Sequence, residues 1–348
     1  TVPSRRYSWR VSVISPTRAG QREWIALGVL MLPVLLVSVD NTVLSFALPE
    51  ISQELRPTGN QLMWIVDLYA LMLAGLLIAM GSLGDRIGRR KLLIIGSIGF
   101  GLASALAAFS TSAEMLIVAR ALLGFFGATL MPSTLSLIRN IFTNDRDRRL
   151  AIATWAAMFS GGAVLGPVVG GYLLEHFWWG SVFLINVPLI IVFIPAALAV
   201  IPESKDPNPG RSDPISIVLS LAVMVPLVFA IKHGASHGLD DIVLASLALG
   251  IGSGWMFVRR QRTSTSPLLD LTLFKNPVFS GALIANALSL MGLAGFLYFG
   301  AQLLQLVLGL SPLESALVLV PGLLATMIAG FAAVRLVEKI SVRTLVPM

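Results

Sequence analysis

Gly81 to Lys91 reads GSLGDRIGRRK: glycines close one apolar run, an acid follows, and Arg86, Arg89, Arg90 and Lys91 precede the next apolar run at Leu92. Glycine allows the chain to turn sharply, and a dense basic cluster between two apolar stretches marks the cytoplasmic side of a membrane hairpin. Working outward from this turn, apolar stretches of about 20 residues, the length that crosses a bilayer core, recur in both directions. They run from 24 to 48, 62 to 83, 92 to 111, 115 to 139, 150 to 174, 181 to 201, 215 to 233, 240 to 258, 278 to 300 and 313 to 334.

Composition agrees. The 348-residue chain is 56% hydrophobic and only 12% charged, with a mean hydropathy of +0.84. That is too much apolar surface for one water-soluble core, so the fold class is all-α, a polytopic membrane protein. Soluble enzymes and soluble binding modules are excluded. The first span carries Asp40 and outlasts a signal-peptide core, so it is read as a retained helix.

All 25 Lys and Arg residues except Arg56, Arg120 and Lys232 fall in segments that lie on one side if the amino terminus is inside. The net charge of +7 is therefore a topology signal and implies no nucleic acid. The expected localisation is the cell membrane, multi-pass, with a cytoplasmic amino terminus and with Arg56 and Lys232 outside. There is no cysteine and only three scattered histidines, which leaves no metal site, no thiol chemistry and no expected cofactor.

The chain divides into a basic amino terminus (1–23), a six-helix bundle (24–201), a polar linker (202–214), two inserted spans (215–258), a second linker (259–277) and the start of a second bundle (278–348). The linkers PESKDPNPGRSD (Pro202 to Asp213) and RRQRTSTSPLLD (Arg259 to Asp270) carry the partition. VEKISVRTL (Val337 to Leu345) echoes GDRIGRRKL (Gly84 to Leu92), which reads as an internal repeat. If the second bundle also needs six spans, four are expected beyond Met348, and transport is expected to need them.

Charges inside the spans are the candidate site. Counted at 1.5 Å per residue, Asp40 lies about 12 Å from the outer end of its span, and Asp67 and Arg120 each about 8 Å. A lone charge in hydrocarbon costs at least about 2.5 to 3.5 kcal/mol, so acids and base at one depth are expected to face each other or water. Asp40 and Asp67 are the candidates for proton coupling and cation binding, with Arg120 as counter-ion. Trp64, Tyr69, Met72, Phe125, Met131 and Trp155 offer cation–π and adaptable apolar contacts for a lipophilic cation, although such residues commonly only pack. Trp178 and Trp179, at a span boundary, read as an interfacial belt.

The turn GSLGDRIGRRK, with Gly81, Asp85, Arg86, Gly88 and Arg89 in order, resembles the signature loop of the major facilitator superfamily, which gates the cytoplasmic side and whose acid docks on the opposite bundle. GAVLGPVVGG (Gly162 to Gly171) stacks small residues for close helix contact, and its Gly162, Gly166, Pro167, Gly170 and Gly171 resemble the antiporter motif of the superfamily's exporters. LIVARALLGFFGA (Leu116 to Ala128) resembles the fourth-span motif, with Leu123 where a glutamine is usual. VDNTVLSFALPEI (Val39 to Ile51), WIVDLYALMLAG (Trp64 to Gly75), GSVFLINVP (Gly180 to Pro188), PLLDLTLF (Pro267 to Phe274) and LQLVLGLSPLESALVLVPG (Leu304 to Gly322) resemble the fourteen-span drug:proton antiporters of the same superfamily.

The resemblance implies the major facilitator fold and export of amphipathic cationic drugs, dyes and quaternary ammonium biocides, hence antibiotic resistance. Its partners would be lipophilic cations, protons and membrane lipid, and the proton gradient would supply the energy. No P-loop and no Ser, His and Asp grouping suggests an enzyme. Two other readings stay open: a lipid or metabolite exporter on the same fold, and a non-transporting membrane binding or regulatory subunit.

Overall fold

The computed structural model describes residues 18–207, 213–264 and 267–337. Every regular element among them is helical: α1 Gln21–Leu55, α2 Gly59–Ile87, α3 Arg89–Ala108, α4 Ala113–Ile141, α5 Asp145–His176, α6 Ser181–Leu184, α7 Asn186–Val200, α8 Pro214–His237, α9 Asp241–Thr263, α10 Pro277–Gln302 and α11 Pro312–Val337. A 3₁₀ turn at Leu271–Lys275 and a π turn at Leu303–Val307 flank α10. Nine helical stretches among the described residues are long and apolar enough to cross a membrane, α6 and α7 forming one of them. Leu102, Val118, Ile191, Val192 and Ile251 project from their outer faces, as lipid contact requires.

The helices overrun the expected spans. α1 has 35 residues, about 52 Å of helix against a hydrocarbon core of about 30 Å. Apolar length measures the part in lipid, whereas helical hydrogen bonding continues into polar ends such as EISQEL. The inward faces of α1, α3, α4 and α6 make the core: Leu30, Phe46, Phe100, Leu116 and Phe183 are all 0% exposed. α1 packs on α5 and α7, α2 on α4, and α3 on α4 and α7; α8 and α9 pair and lean on α2, while α10 touches α1 and α11 lies along α5.

Glycines set the closest of these seams. A Cβ at Gly162 would lie 2.6 Å from the Ser38 Cβ, one at Gly166 would strike the Thr42 side chain, and one at Gly170 the Val43 side chain, so three motif glycines seat α5 on α1. One at Gly171 would lie 2.7 Å from the Leu313 Cα, which binds the same helix to α11. Pro167 sits inside α5 without ending it. Trp179 corrects the belt reading: it is 3% exposed and edge-on to Phe183, because the bend into α6 turns it inward, and Trp178 alone stays half-exposed. The second copy of the proposed repeat, from Glu338 onward, lies outside the described residues, as do the bases of residues 1–17, Arg211, Lys339 and Arg343.

Candidate functional site

Asp40 comes from the middle of α1 and Arg120 from α4, both on faces that the apolar pattern turns inward. Asp40 is 1% and Arg120 2% exposed. Arg120 Nη1 donates to Asp40 Oδ2 at 2.9 Å, and its Nε donates to the Ile65 carbonyl of α2 at 3.0 Å. Its guanidinium carbon lies 4.4 Å from the centre of the Tyr69 ring, a cation–π contact that removes a third side from water. The pair thus joins α1, α2 and α4 at one point. Asp40 Oδ1 and the Tyr69 hydroxyl have no hydrogen-bond partner among the described residues. An oxygen of that kind is where a proton can be held without breaking an existing bond.

Arg120 and Tyr69 form part of the wall of a cavity of about 1130 Å³. It lies at the end marked by the α1–α2 turn, where Thr58, Gly59 and Asn60 line it, and α10 contributes Met291, Gly295 and Tyr298. Asn41 and Ser45 give it a polar strip on α1, and Leu44, Leu48, Leu62 and Val66 make most of the rest apolar. A drug-sized ligand needs roughly 300 to 1,000 Å³, so volume and lining suit a lipophilic molecule with one or two polar groups.

Asp67 lines the same cavity but does not join Asp40 and Arg120. It forms an ion pair with Lys232 of α8, and Lys232 and His233 complete that wall. The expected cluster of three is therefore a buried pair plus a separate, more open pair. Equal depth along two helices does not give equal azimuth, and the Asp67 face of α2 turns toward the inserted helices. Lys232, at the end of the expected span 215–233, belongs to the penultimate turn of α8 and lines the cavity. His233 Nε2 lies 3.0 Å from Asp240 Oδ2, and its ring continues a stack through Phe229 (5.1 Å) to Trp64 (6.2 Å). No feature of the sequence marked Lys232 as Asp67's partner; a lysine next to the last residue of an apolar stretch was the available signal.

Of the six expected aromatic and sulfur residues, Tyr69 lines this cavity and the others do not. Trp64 stacks on Phe229, Met72 lies under Gly124, and Phe125 is 37% exposed on the outer side of α4. Met131 packs on the core, and Trp155 Nε1 donates to Thr134 Oγ1 at 3.1 Å. Helical periodicity turns Trp64, Met72, Met131 and Trp155 toward neighbouring helices and Phe125 outward.

At the other end, the α2–α3 turn is built as its glycine required: Gly88 has φ +112°, a region that other residues enter with strain. Gly81 sits inside α2, opposite Pro132 of α4. The Asp85 carboxylate takes Arg89 Nη2 at 2.7 Å and Nε at 2.9 Å, because a four-residue step brings the guanidinium to it. Arg86 ends α2. The turn is fastened to the segment after α7: the Arg89 amide donates to the Ser204 carbonyl (2.8 Å), Arg90 Nη1 to the Ile201 carbonyl (3.0 Å) and the Asp206 amide to the Asp85 carbonyl (3.0 Å). Glu203 accepts the Arg90 and Lys91 amides at 3.0 and 3.1 Å, an N-cap for α3 supplied from elsewhere in the chain.

Residues 30–348 match the Major Facilitator Superfamily. The chain is 57% identical over 331 residues to the multidrug efflux pump LfrA of Mycolicibacterium smegmatis, covering 95% of this chain and 66% of that protein. It is 38% identical over 330 residues to the methyl viologen resistance protein SmvA of Salmonella typhimurium (92% and 65%), and 33% identical over 311 residues to the tetracenomycin C resistance and export protein of Streptomyces glaucescens (89% and 57%). The chain thus spans about two thirds, or less, of the length of these curated relatives.

Proposed function

The chain belongs to the major facilitator superfamily, and on that premise we propose that it acts in proton-coupled export of amphipathic cations, drugs, dyes and quaternary ammonium biocides among them. The observation that carries the reading is the buried Asp40–Arg120 pair, whose Arg120 forms part of the wall of a largely apolar cavity while Asp40 lies behind it. A membrane scaffold has no use for a carboxylate and a guanidinium sealed from water, whereas a transporter uses such a pair to tie protonation to conformation.

In this mechanism a proton from the cavity side reaches Asp40, the attraction that holds Arg120 to α1 falls away, and α1, α2 and α4 are released from their common junction. Return of the proton to the other side restores the pair. Substrate occupies the cavity between α1, α2, α8 and α10, and α5, seated by its glycines on both α1 and α11, serves as the seam along which the two bundles rock. The α2–α3 turn, clamped to residues 201–206, gates the far side. Relatives named for multidrug efflux and for resistance to methyl viologen, a dication, support cationic cargo.

The same reading extends to details: the fourteen-span drug:proton antiporter branch, the partition into a six-helix bundle, an inserted pair and a second bundle, and a cytoplasmic amino terminus. The test is dye efflux from energised vesicles with and without a protonophore. Asp40→Asn is expected to abolish gradient-driven efflux while the protein stays folded in the membrane; unchanged, protonophore-sensitive efflux by that variant refutes the mechanism. Single-cysteine labelling tests orientation, since external labelling at position 148 overturns it.

A further inference from the structure

Among the described residues the cavity holds no carboxylate without a cationic partner. Asp67 is paired with Lys232, Asp40 lies behind Arg120 and is paired with it, and Asp240 is bonded to His233. Yet a cation entering an apolar cavity needs a counter-charge, so one pair has to open. The two ion pairs across helices differ sharply in how easily they do so. Arg120 is held by Asp40, by the Ile65 carbonyl and by the Tyr69 ring, and both its side chain and that of Asp40 are at most 2% exposed. Lys232 is a point charge on a flexible stem, its side chain is 36% exposed, and Asp67 is 21% exposed. A solvated lysine can leave an ionised carboxylate for water, whereas the sealed arginine is released only when its own carboxylate takes up a proton.

We propose that Lys232, from the inserted α8, is a tethered stand-in for the cargo: it occupies Asp67 when the cavity is empty, and an incoming lipophilic cation takes the carboxylate in exchange. The ammonium then moves to solvent, so the charge buried at Asp67 is the same before and after. Exchange of like for like explains how the empty cavity avoids an uncompensated acid in the membrane. It also makes Lys232 a selectivity element, because a neutral ligand gains nothing from displacing it. This inference rests on the cation-export reading above and adds to it a role for the inserted helices.

The experiment is equilibrium binding of tetraphenylphosphonium, methyl viologen and the neutral dye Nile red to the protein in nanodiscs. Lys232→Gln is expected to tighten both cations by about tenfold, the scale of one charge pair, and to leave Nile red unchanged. Adding Asp67→Asn to that variant is expected to return cation affinity to the wild-type level or below, and Lys232→Arg to resemble wild type. Unchanged or weaker cation binding by Lys232→Gln, or a gain that persists without Asp67, overturns the exchange. If Lys232→Gln does not fold, wild-type protein decides: reductive methylation of Lys232, read by mass spectrometry, rises with saturating methyl viologen if the ammonium is displaced, and stays level or falls if it is not. Failure of every form to bind either cation overturns the export reading as well, whereas wild-type binding that ignores Lys232 overturns the exchange alone.

Discussion

Asp40 of α1 and Arg120 of α4 meet at 2.9 Å with neither side chain more than 2% exposed, while Asp67, at similar depth on α2, turns away to Lys232. The membrane interior therefore holds two charge pairs of different character. The first is a junction of three helices, and the second is a contact between α2 and α8.

The junction is predicted to be a strict pair. Removing one member of a buried pair typically costs about 3 to 5 kcal/mol, because the other is left uncompensated, and replacing both by apolar residues costs much less. Arg120→Met alone is expected to lower the thermal unfolding midpoint in detergent strongly, and adding Asp40→Leu is expected to restore part of the loss. Additive losses in the double variant would show that the two charges act independently.

The glycine seam of α5 is predicted to be intolerant in two distinguishable ways. Gly162→Ala meets the Ser38 Cβ of α1, which no change of rotamer removes, so it is expected to cost about 1 to 3 kcal/mol as overpacking on the α1 side of α5. Gly171→Ala meets backbone of α11, which cannot rotate away, and is expected to separate the helices. Disulfide formation between one cysteine placed on α5 and one on α11, in a chain that has none of its own, should slow in Gly171→Ala and not in Gly162→Ala.

Nine of the ten expected stretches return among the described residues as helices long and apolar enough to cross a membrane, the tenth being apolar only over the shorter Pro312–Thr326; they were legible because lipid dictates both length and composition, and the Asp40–Arg120 contact was legible because two opposite charges at one depth in hydrocarbon have few alternatives. Azimuth was not legible. Sequence gives the depth of Asp67 but not the direction its side chain leaves α2, so its partner on a distant helix stayed hidden, and Lys232 read only as a topology signal. Glu203 read as linker composition, since an N-cap supplied from over a hundred residues away leaves no local pattern. Trp179 read as belt because the bend that turns it inward is a property of packing.

That remote cap yields the third prediction. Glu203 carries a full negative charge at the start of α3, where the helix dipole and two free amides favour it. Glu203→Ala is expected to lose about 0.5 to 2 kcal/mol, as cap removals do, and Glu203→Gln less. The readout is hydrogen exchange at the Arg90 and Lys91 amides, which should quicken in Glu203→Ala; unaltered exchange would mean that the contact holds nothing in place.

The last prediction concerns acid. Asp213, at the start of α8, accepts the Ser216 hydroxyl at 2.6 Å and the Ser216 amide at 3.2 Å, and Arg260 from the end of α9 reaches both its oxygens at 2.9 Å. Hydrogen bonds from Arg260 and then from Ser216 outweigh the effect of burial and hold the carboxyl down at about 2, below its ordinary 3.8. Because the folded form binds its proton less readily than the unfolded form, the fastening of α8 to α9 is fully present above about pH 4 and is lost as pH falls through about 2. Asp213→Asn should remove that dependence and loosen the hairpin at neutral pH. Hydrogen exchange at the first turn of α8, followed from pH 5 down to pH 2 after correction for intrinsic rates, is expected to rise steeply in wild type and to start high and stay flat in Asp213→Asn. A wild-type profile as flat as the variant's would show that the Arg260 contact contributes nothing to holding the inserted pair together.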